Sequence, residues 1–201
     1  MNWLAHILLA RDSEEDQLGG VLADLLTMPQ TQLLPPGVRR GVALHHSIDA
    51  FSDAHPAVVA SGQRITRAGV GLRPAAAAIA VDMLYDHLLA QQWARHCPVR
   101  SLETFAADFY HVASKQAAII PPRARMALDL MQAENWLVSY RELDEIRQVL
   151  ARIRRRLSPQ AAEQSPLASA VDVFARDPAA FTDDFARFWP DVVAHVAACR
   201  L

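Results

Sequence analysis

GVALHHSIDAFSDAHP, from Gly41 to Pro56, holds three histidines and two aspartates within sixteen residues, set among the apolar positions Val42, Leu44, Ile48 and Phe51. Read as a helix, the stretch places His45 and Asp49 one turn apart on one face, with Asp53 a further turn on and somewhat rotated. An imidazole and a carboxylate so placed can close on a single divalent cation with little side-chain rearrangement. The same pattern also describes an amphipathic helix whose polar face is simply solvated.

Working outward, the chain supports the helical reading. All seven glycines lie between Gly19 and Gly71, so the remainder lacks the Gly-containing pairs that tight hairpins need. Prolines 74, 98, 121, 122, 159, 166, 178 and 190 instead punctuate long helical patterns. The expected fold class is all-α. Residues 2–10 form a first helix with Trp3, Leu4, Ile7 and Leu8 on its buried stripe, and Asn2 and His6 on another. Ser13 and Asp16 resemble a variant capping box that opens a second helix through Leu26. On that helix Gly20 and Asp24 share a face, and the glycine leaves room beside the carboxylate for an ion or a substrate group.

A helix over 38–53 follows, which His55-Pro56 ends before starting another. The next, over 74–96, carries Asp82 and Asp86 one turn apart, with His87 adjacent. Carboxylates stacked this way repel by about 0.2–0.5 kcal/mol on an isolated helix, and a cation between them reverses the sign. Ser101 caps a further helix, and Pro121–Pro122 restart one that ends near Trp136 and Tyr140. A helix through Ile146, Leu150 and Ile153 ends in Arg154–Arg156. The tail from 168 to 201 has Val171, Phe174, Phe181, Phe185 and Trp189 at helix-like spacing. No repeat, low-complexity tract or linker interrupts the chain, so one domain over 1–201 is expected.

With 201 residues, of which 52% are apolar, the chain can bury a substantial core and is not disordered. A formal net charge of −2 singles out no partner. Basic residues are balanced by acids and no recognised module appears, so no nucleic-acid partner is expected. Cys97 and Cys199 match no metal or redox spacing, which favours a reducing compartment. MNWLAHILLA lacks a basic leader and makes a poor signal peptide, and no apolar run reaches the ~18 residues that would span a membrane. A cytoplasmic protein without a membrane partner is the expectation.

The chemistry gathers in the first ninety residues, with histidines 6, 45, 46, 55 and 87 and aspartates 24, 49, 53, 82 and 86 among apolar neighbours. A carboxylate held against a core is costly unless it is paired or binds a metal. Facing helices with His and Asp at this spacing resemble the way bundles build metal centres. Imidazole plus carboxylate oxygen suits Mn²⁺, Mg²⁺, Fe²⁺ or Zn²⁺ rather than a thiolate-bound ion. Such a centre activates water and neutralises charge on a phosphoryl group, and a nearby arginine can hold phosphate oxygens in a fork. No phosphate loop of the nucleotide-binding type, GxSxG elbow or CxxC is present.

MNWLAH at the start, LADLL around Asp24, LHHSIDAFSDAHP, VDMLYDHLLAQQW and NWLVSY together resemble the bacterial acyl carrier protein phosphodiesterases, in order and spacing over essentially the whole chain. That family is similar to the HD-type metal-dependent phosphohydrolases, which implies a single HD-like helical bundle. The resemblance implies hydrolysis of holo-acyl carrier protein to the apo-protein and 4′-phosphopantetheine. Two positions depart from the family pattern. Gly20 stands where it has Asn, removing a hydrogen-bonding side chain, and His46 stands where it commonly has Arg, removing a permanent charge.

On this reading Asp24, His45 and Asp49 hold a divalent cation, with Asp86 a further ligand and His6 a ligand or the residue that orients one. Mn²⁺ is the first choice, with Mg²⁺, Fe²⁺ or Co²⁺ as alternatives. The departing serine alkoxide needs a proton, for which His46 and His87 are the candidates. Asn2, Asp53 and Asp82 are expected to support the ligands, Asp82 by fixing an imidazole tautomer. Arg39, Arg40, Arg64 and Arg67 flank the site in sequence and are the expected contacts for an acidic carrier protein, with Arg154–Arg156 a more distant candidate. Two other readings compete. One is the same chemistry on a nucleotide or other small phosphate ester, and the other is a helical module that docks the carrier protein without chemistry.

Overall fold

Short caps and prolines set where the helices begin. The computed structural model describes residues 1–156 and 166–199, and every regular element among them is helical. In order these are α1 (Trp3–Leu9), α2 (Glu14–Leu22), α3 (Met28–Gln32), α4 (Pro36–Ala54), α5 (Pro56–Arg67), α6 (Pro74–Gln91) and α7 (Trp93–His96). There follow α8 (Leu102–Lys115), a 3₁₀ turn (Ala117–Ile119), α9 (Pro122–Ala133), α10 (Trp136–Ser139), α11 (Leu143–Arg156), α12 (Ser169–Arg176) and α13 (Pro178–Cys199). Ser13 accepts the Asp16 amide and Ser101 the Thr104 amide at their helix starts. Prolines 36, 56, 74 and 122 occupy first-turn positions, where a missing N–H costs nothing.

Several boundaries differ from the sequence reading. The helix restarted at Pro121–Pro122 ends at Ala133, with α10 a separate turn after Asn135. The second helix stops at Leu22 rather than Leu26, so Asp24 lies in the turn beyond it. The helix expected over 74–96 breaks at Gln92 into α6 and α7. Pro190 lies inside α13 rather than at a boundary. The carbonyl it leaves unbonded belongs to Ala186, an exposed residue, so water can satisfy it. The side chains of Arg154, Arg155 and Arg156 lie outside the described residues.

α6 is buried on one face through Ala77, Ala80 and Val81 and all round from Met83 to Ala90, as befits a helix that ends in the centre of the core. Helices α1, α5, α11, α12 and α13 pack on it. α2 and α4 meet backbone to backbone. A Cβ on Gly19 would lie 2.2 Å from the Val38 carbonyl oxygen, and one on Gly41 would lie 2.5 Å from the Asp16 carbonyl oxygen. Only glycine allows that approach. α13 closes the far side, where fully buried Asp184 accepts hydrogen bonds from Ser61 at 2.9 Å, Arg64 at 3.1 Å and Arg187.

α1 is held by an unusual cap. The Asn2 side chain makes no capping bond. Asp86, from the middle of α6, accepts the Leu4 amide at 2.8 Å and the Ala5 amide at 3.2 Å. These are two of the orphan donors of the first turn, and the carboxylate also faces the positive end of the helix. Asp86 therefore fixes α1, and with it His6, against α6.

Candidate metal centre

α1, α4 and the end of α2 bring His6, His45, Asp49 and Asp24 together. His45 is buried, and its Nδ1 lies 2.7 Å from the Gly20 carbonyl oxygen. A carbonyl can only accept, so Nδ1 carries a proton. The Nε2 atom then points at two carboxylates, Asp49 Oδ2 at 3.0 Å and Asp24 Oδ1 at 3.4 Å. His6 stacks on His45 with ring centroids 3.9 Å apart, and its Nε2 lies 3.0 Å from Asp49 Oδ1. One ligand atom from each of His6, His45 and Asp49 falls within 4.8 Å of the others.

Charges in the cluster are strongly coupled. Burial disfavours a charged His45, but the hydrogen bonds to Asp24 and Asp49 outweigh it and raise its pKa to about 9. Burial lowers His6 to about 4, and the neighbouring His45 and N-terminal charges add to that against the pull of Asp49. Burial alone would raise Asp24 and Asp49. Hydrogen bonds from His45 and Trp3 hold Asp24 below the usual carboxylate range, and those from His45 and His6 do so for Asp49.

These donors fit a divalent cation. With Nδ1 committed to Gly20, a neutral His45 aims a lone pair at two anions, so the arrangement needs either a proton or a metal at that point. The buried Nδ1 of His6 has no hydrogen-bond partner, whereas its Nε2 faces the Met1 carbonyl oxygen at 3.2 Å as well as Asp49. Nε2 therefore carries the proton in the metal-free cluster, and that proton would have to shift to the free Nδ1 for Nε2 to bind a cation.

The remaining candidates fall outside the cluster or at its edge. His46 is exposed, edge-on to His45 with centroids 5.5 Å apart. Asp82 binds the Met1 ammonium at 2.9 Å, which also touches Asp49 at 3.3 Å. Burial raises the Asp82 pKa, against the attraction of that ammonium. Asp53 is exposed at the end of α4, and Asn2 is half-buried with an unpartnered Nδ2. Asp86 is engaged with α1, and burial raises it to about 7 against the pull of the two amides. His87 points away into the core, its Nδ1 donating to the Tyr140 carbonyl at 2.8 Å and its ring edge-on to Phe174. His55 caps α5 and pairs with Asp191.

Among the arginines, Arg40 binds Asp16 at 2.9 Å and Arg64 binds Asp184, while Arg39 and Arg67 are exposed.

Two participants escaped the sequence. Trp3, assigned to a buried stripe, donates its indole N–H to Asp24 Oδ2 at 2.9 Å. Gly20, read only as vacant space, supplies the carbonyl that orients His45. Neither carries a local signal, because a backbone carbonyl has no residue signature and the Trp3–Asp24 pair spans 21 positions.

A family model described as acyl carrier protein phosphodiesterase matches residues 1–192. Among relatives of that name, one from Enterobacter sp. (strain 638) is 34% identical over 157 residues, covering 75% of this chain and 76% of its own. One from Shigella boydii serotype 18 is 32% identical over 154 residues with the same coverage. A third, from Escherichia coli O127:H6, is 31% identical over 154 residues, again with that coverage. No solved structure gives a significant match. With a match across nearly its whole length, the chain belongs to the acyl carrier protein phosphodiesterase family.

Proposed function

We propose that the protein is a metal-dependent phosphodiesterase that hydrolyses holo-acyl carrier protein to apo-acyl carrier protein and 4′-phosphopantetheine. Family membership supports the reaction and its substrate. The observation that carries the metal dependence is the His45 ring, with Nδ1 tied to the Gly20 carbonyl and Nε2 facing Asp49 and Asp24. His6, His45, Asp49 and Asp24 would hold the cation, Mn²⁺ by preference. When bound, the ion supplies Lewis acidity toward phosphoryl oxygen and a water of lowered pKa.

The chain's own residues do the rest. Gly20 fixes the His45 tautomer, Trp3 orients Asp24, and Asp86 positions His6 by capping α1. His46, exposed beside His45, is the donor of choice for the proton that the leaving serine oxygen requires. His87 is withdrawn from that role by its burial and its bond to Tyr140, and Asp86 from the ligand set by its two amides.

No helix among the described residues is long and apolar enough to cross a membrane. Cys97 and Cys199 are both free thiols, the state that a reducing compartment such as the cytoplasm maintains.

The test is hydrolysis of holo-carrier protein beside a nucleotide panel, with metal-free enzyme and after Mn²⁺ is restored. The expected result is metal-restored cleavage of the carrier protein alone. Preferential cleavage of a nucleotide would move the substrate to small phosphate esters, and binding without cleavage of anything would reduce the protein to a docking module.

A further inference from the structure

Beside Asp24 two indoles lie face to face. Trp3 and Trp136 stack with centroids 5.9 Å apart and planes within 13° of parallel. Both are half-buried, so part of this aromatic wall meets solvent. Its placement is fixed at both ends. Trp3 is anchored to Asp24, and Trp136 Nε1 donates to Glu134 at 2.8 Å. Trp136 follows Asn135, whose φ of 49° makes it the only non-glycine residue in the left-handed region among those described. Asn tolerates that conformation better than most residues. The turn brings Trp136, from the second half of the chain, to a site otherwise built from the first ninety residues.

We propose that the Trp3–Trp136 pair is the wall on which the non-phosphate part of the substrate's prosthetic arm lies, a neutral chain of amides and aliphatic carbons attached to the phosphate. This rests on the substrate reading above. An ester whose phosphorus sits at the His–Asp cluster continues in two directions, one to the carrier protein and one to the arm. The wall suits the arm. The charged groups bonded to it are the carboxylates of Asp24 and Glu134, and Glu134 in turn holds Arg152, so these groups offer no net positive charge to an acidic protein surface. Flat indole faces, with their N–H groups already engaged, take aliphatic and amide groups by dispersion and leave no donor unmet. The wall is carried by two short elements, α1 capped by Asp86 and α10 set by the left-handed Asn135, which holds it at a fixed edge of the site.

The experiment compares three inhibitors of holo-carrier protein hydrolysis: 4′-phosphopantetheine, inorganic phosphate and apo-carrier protein. Trp136→Ala is expected to weaken inhibition by 4′-phosphopantetheine about tenfold, equivalent to about 1.4 kcal/mol, while phosphate and apo-carrier protein inhibit as before. Trp136→Leu, which keeps apolar bulk and guards against collapse of α10, should give a smaller loss in the same inhibitor alone. An unchanged constant for 4′-phosphopantetheine in a folded variant overturns the proposal. So does an equal loss for phosphate, which would mean that the metal cluster has been disturbed. A loss confined to apo-carrier protein overturns it too, by assigning the wall to the protein. Failure of the substrate reading is separate, since the wild-type enzyme would then not hydrolyse holo-carrier protein at all.

Discussion

At the scale of a residue, the site centres on His45. One ring nitrogen is committed to a backbone carbonyl and the other is surrounded by carboxylate oxygen, so acceptors at both nitrogens, with the stacked His6 ring, fix where the side chain points. Asp24 is the most exposed of the four candidate ligands and the one joined to Trp3. Asp24→Ala should lower turnover by about 10²–10³-fold, since losing an anionic ligand removes a few kcal/mol of transition-state stabilisation. The circular dichroism of the same preparation should be unchanged, and a folded, metal-loaded and fully active variant would remove Asp24 from the site. In metal-free protein the two histidines set opposite pH dependences. The folded pKa of His45 lies above its ordinary 6.5, at about 9, so its contribution is complete below 6.5 and is lost as pH rises through 9. His6 is depressed to about 4, so its contribution is lost as pH falls from 6.5 through 4. Asp86, raised to about 7, opposes His6 over the same range, and the Met1 ammonium, raised to about 10, adds to the alkaline decline. The metal-free protein should therefore lose stability above pH 6.5, with His45→Gln making that loss shallower. Chemical denaturation across pH in excess chelator checks this.

Between elements, two contacts set the geometry. The first is the Asp86 cap on α1. Asp86→Ala should cost about 1–3 kcal/mol through the stranded Leu4 and Ala5 amides, while metal stoichiometry stays at the wild-type value. Loss of the ion without loss of stability would instead make Asp86 a ligand. The second is the glycine contact of α2 with α4. Gly41→Ala should destabilise by at least ~1–3 kcal/mol, because backbone rather than a movable side chain blocks the methyl group. Gly62→Ala, inside α5 with nothing within 4 Å of the added carbon, should stabilise by about 0.5–1 kcal/mol. Thermal melts of both variants decide. The helices themselves were legible because Ser13, Ser101 and the first-turn prolines are local signals. His45 and Asp49 could be paired from their spacing alone. What spacing could not show was competition for each group. Asp82 and Asp86 share a face of α6, yet one meets the Met1 ammonium and the other the α1 amides, because those partners arrive from the far end of the chain. Pro190 misled for a related reason, since an exposed helix face lets water take over the missing bond.

For the whole molecule, the arginines divide by what they already hold. Arg64 is bound to fully buried Asp184, so Arg64→Glu should act on stability, on the order of 2–3 kcal/mol. Arg39, exposed near the start of α4 two turns before His46, is the better candidate for attraction of an acidic carrier protein. Arg39→Glu should lower kcat/KM for that substrate several-fold and leave kcat nearly unchanged. Added salt should blunt the difference, because exposed charges are screened beyond about 8 Å at physiological ionic strength. Equal salt profiles for wild type and variant would move the docking surface elsewhere. The central claim, metal-dependent removal of the prosthetic group, is tested most directly by the intact mass of holo-acyl carrier protein after incubation with the enzyme. With verified metal-free enzyme and excess chelator the mass should stay constant. On restoring Mn²⁺ it should fall by one 4′-phosphopantetheine unit. Full loss of the group in chelator, or no loss with Mn²⁺ present, would contradict the account.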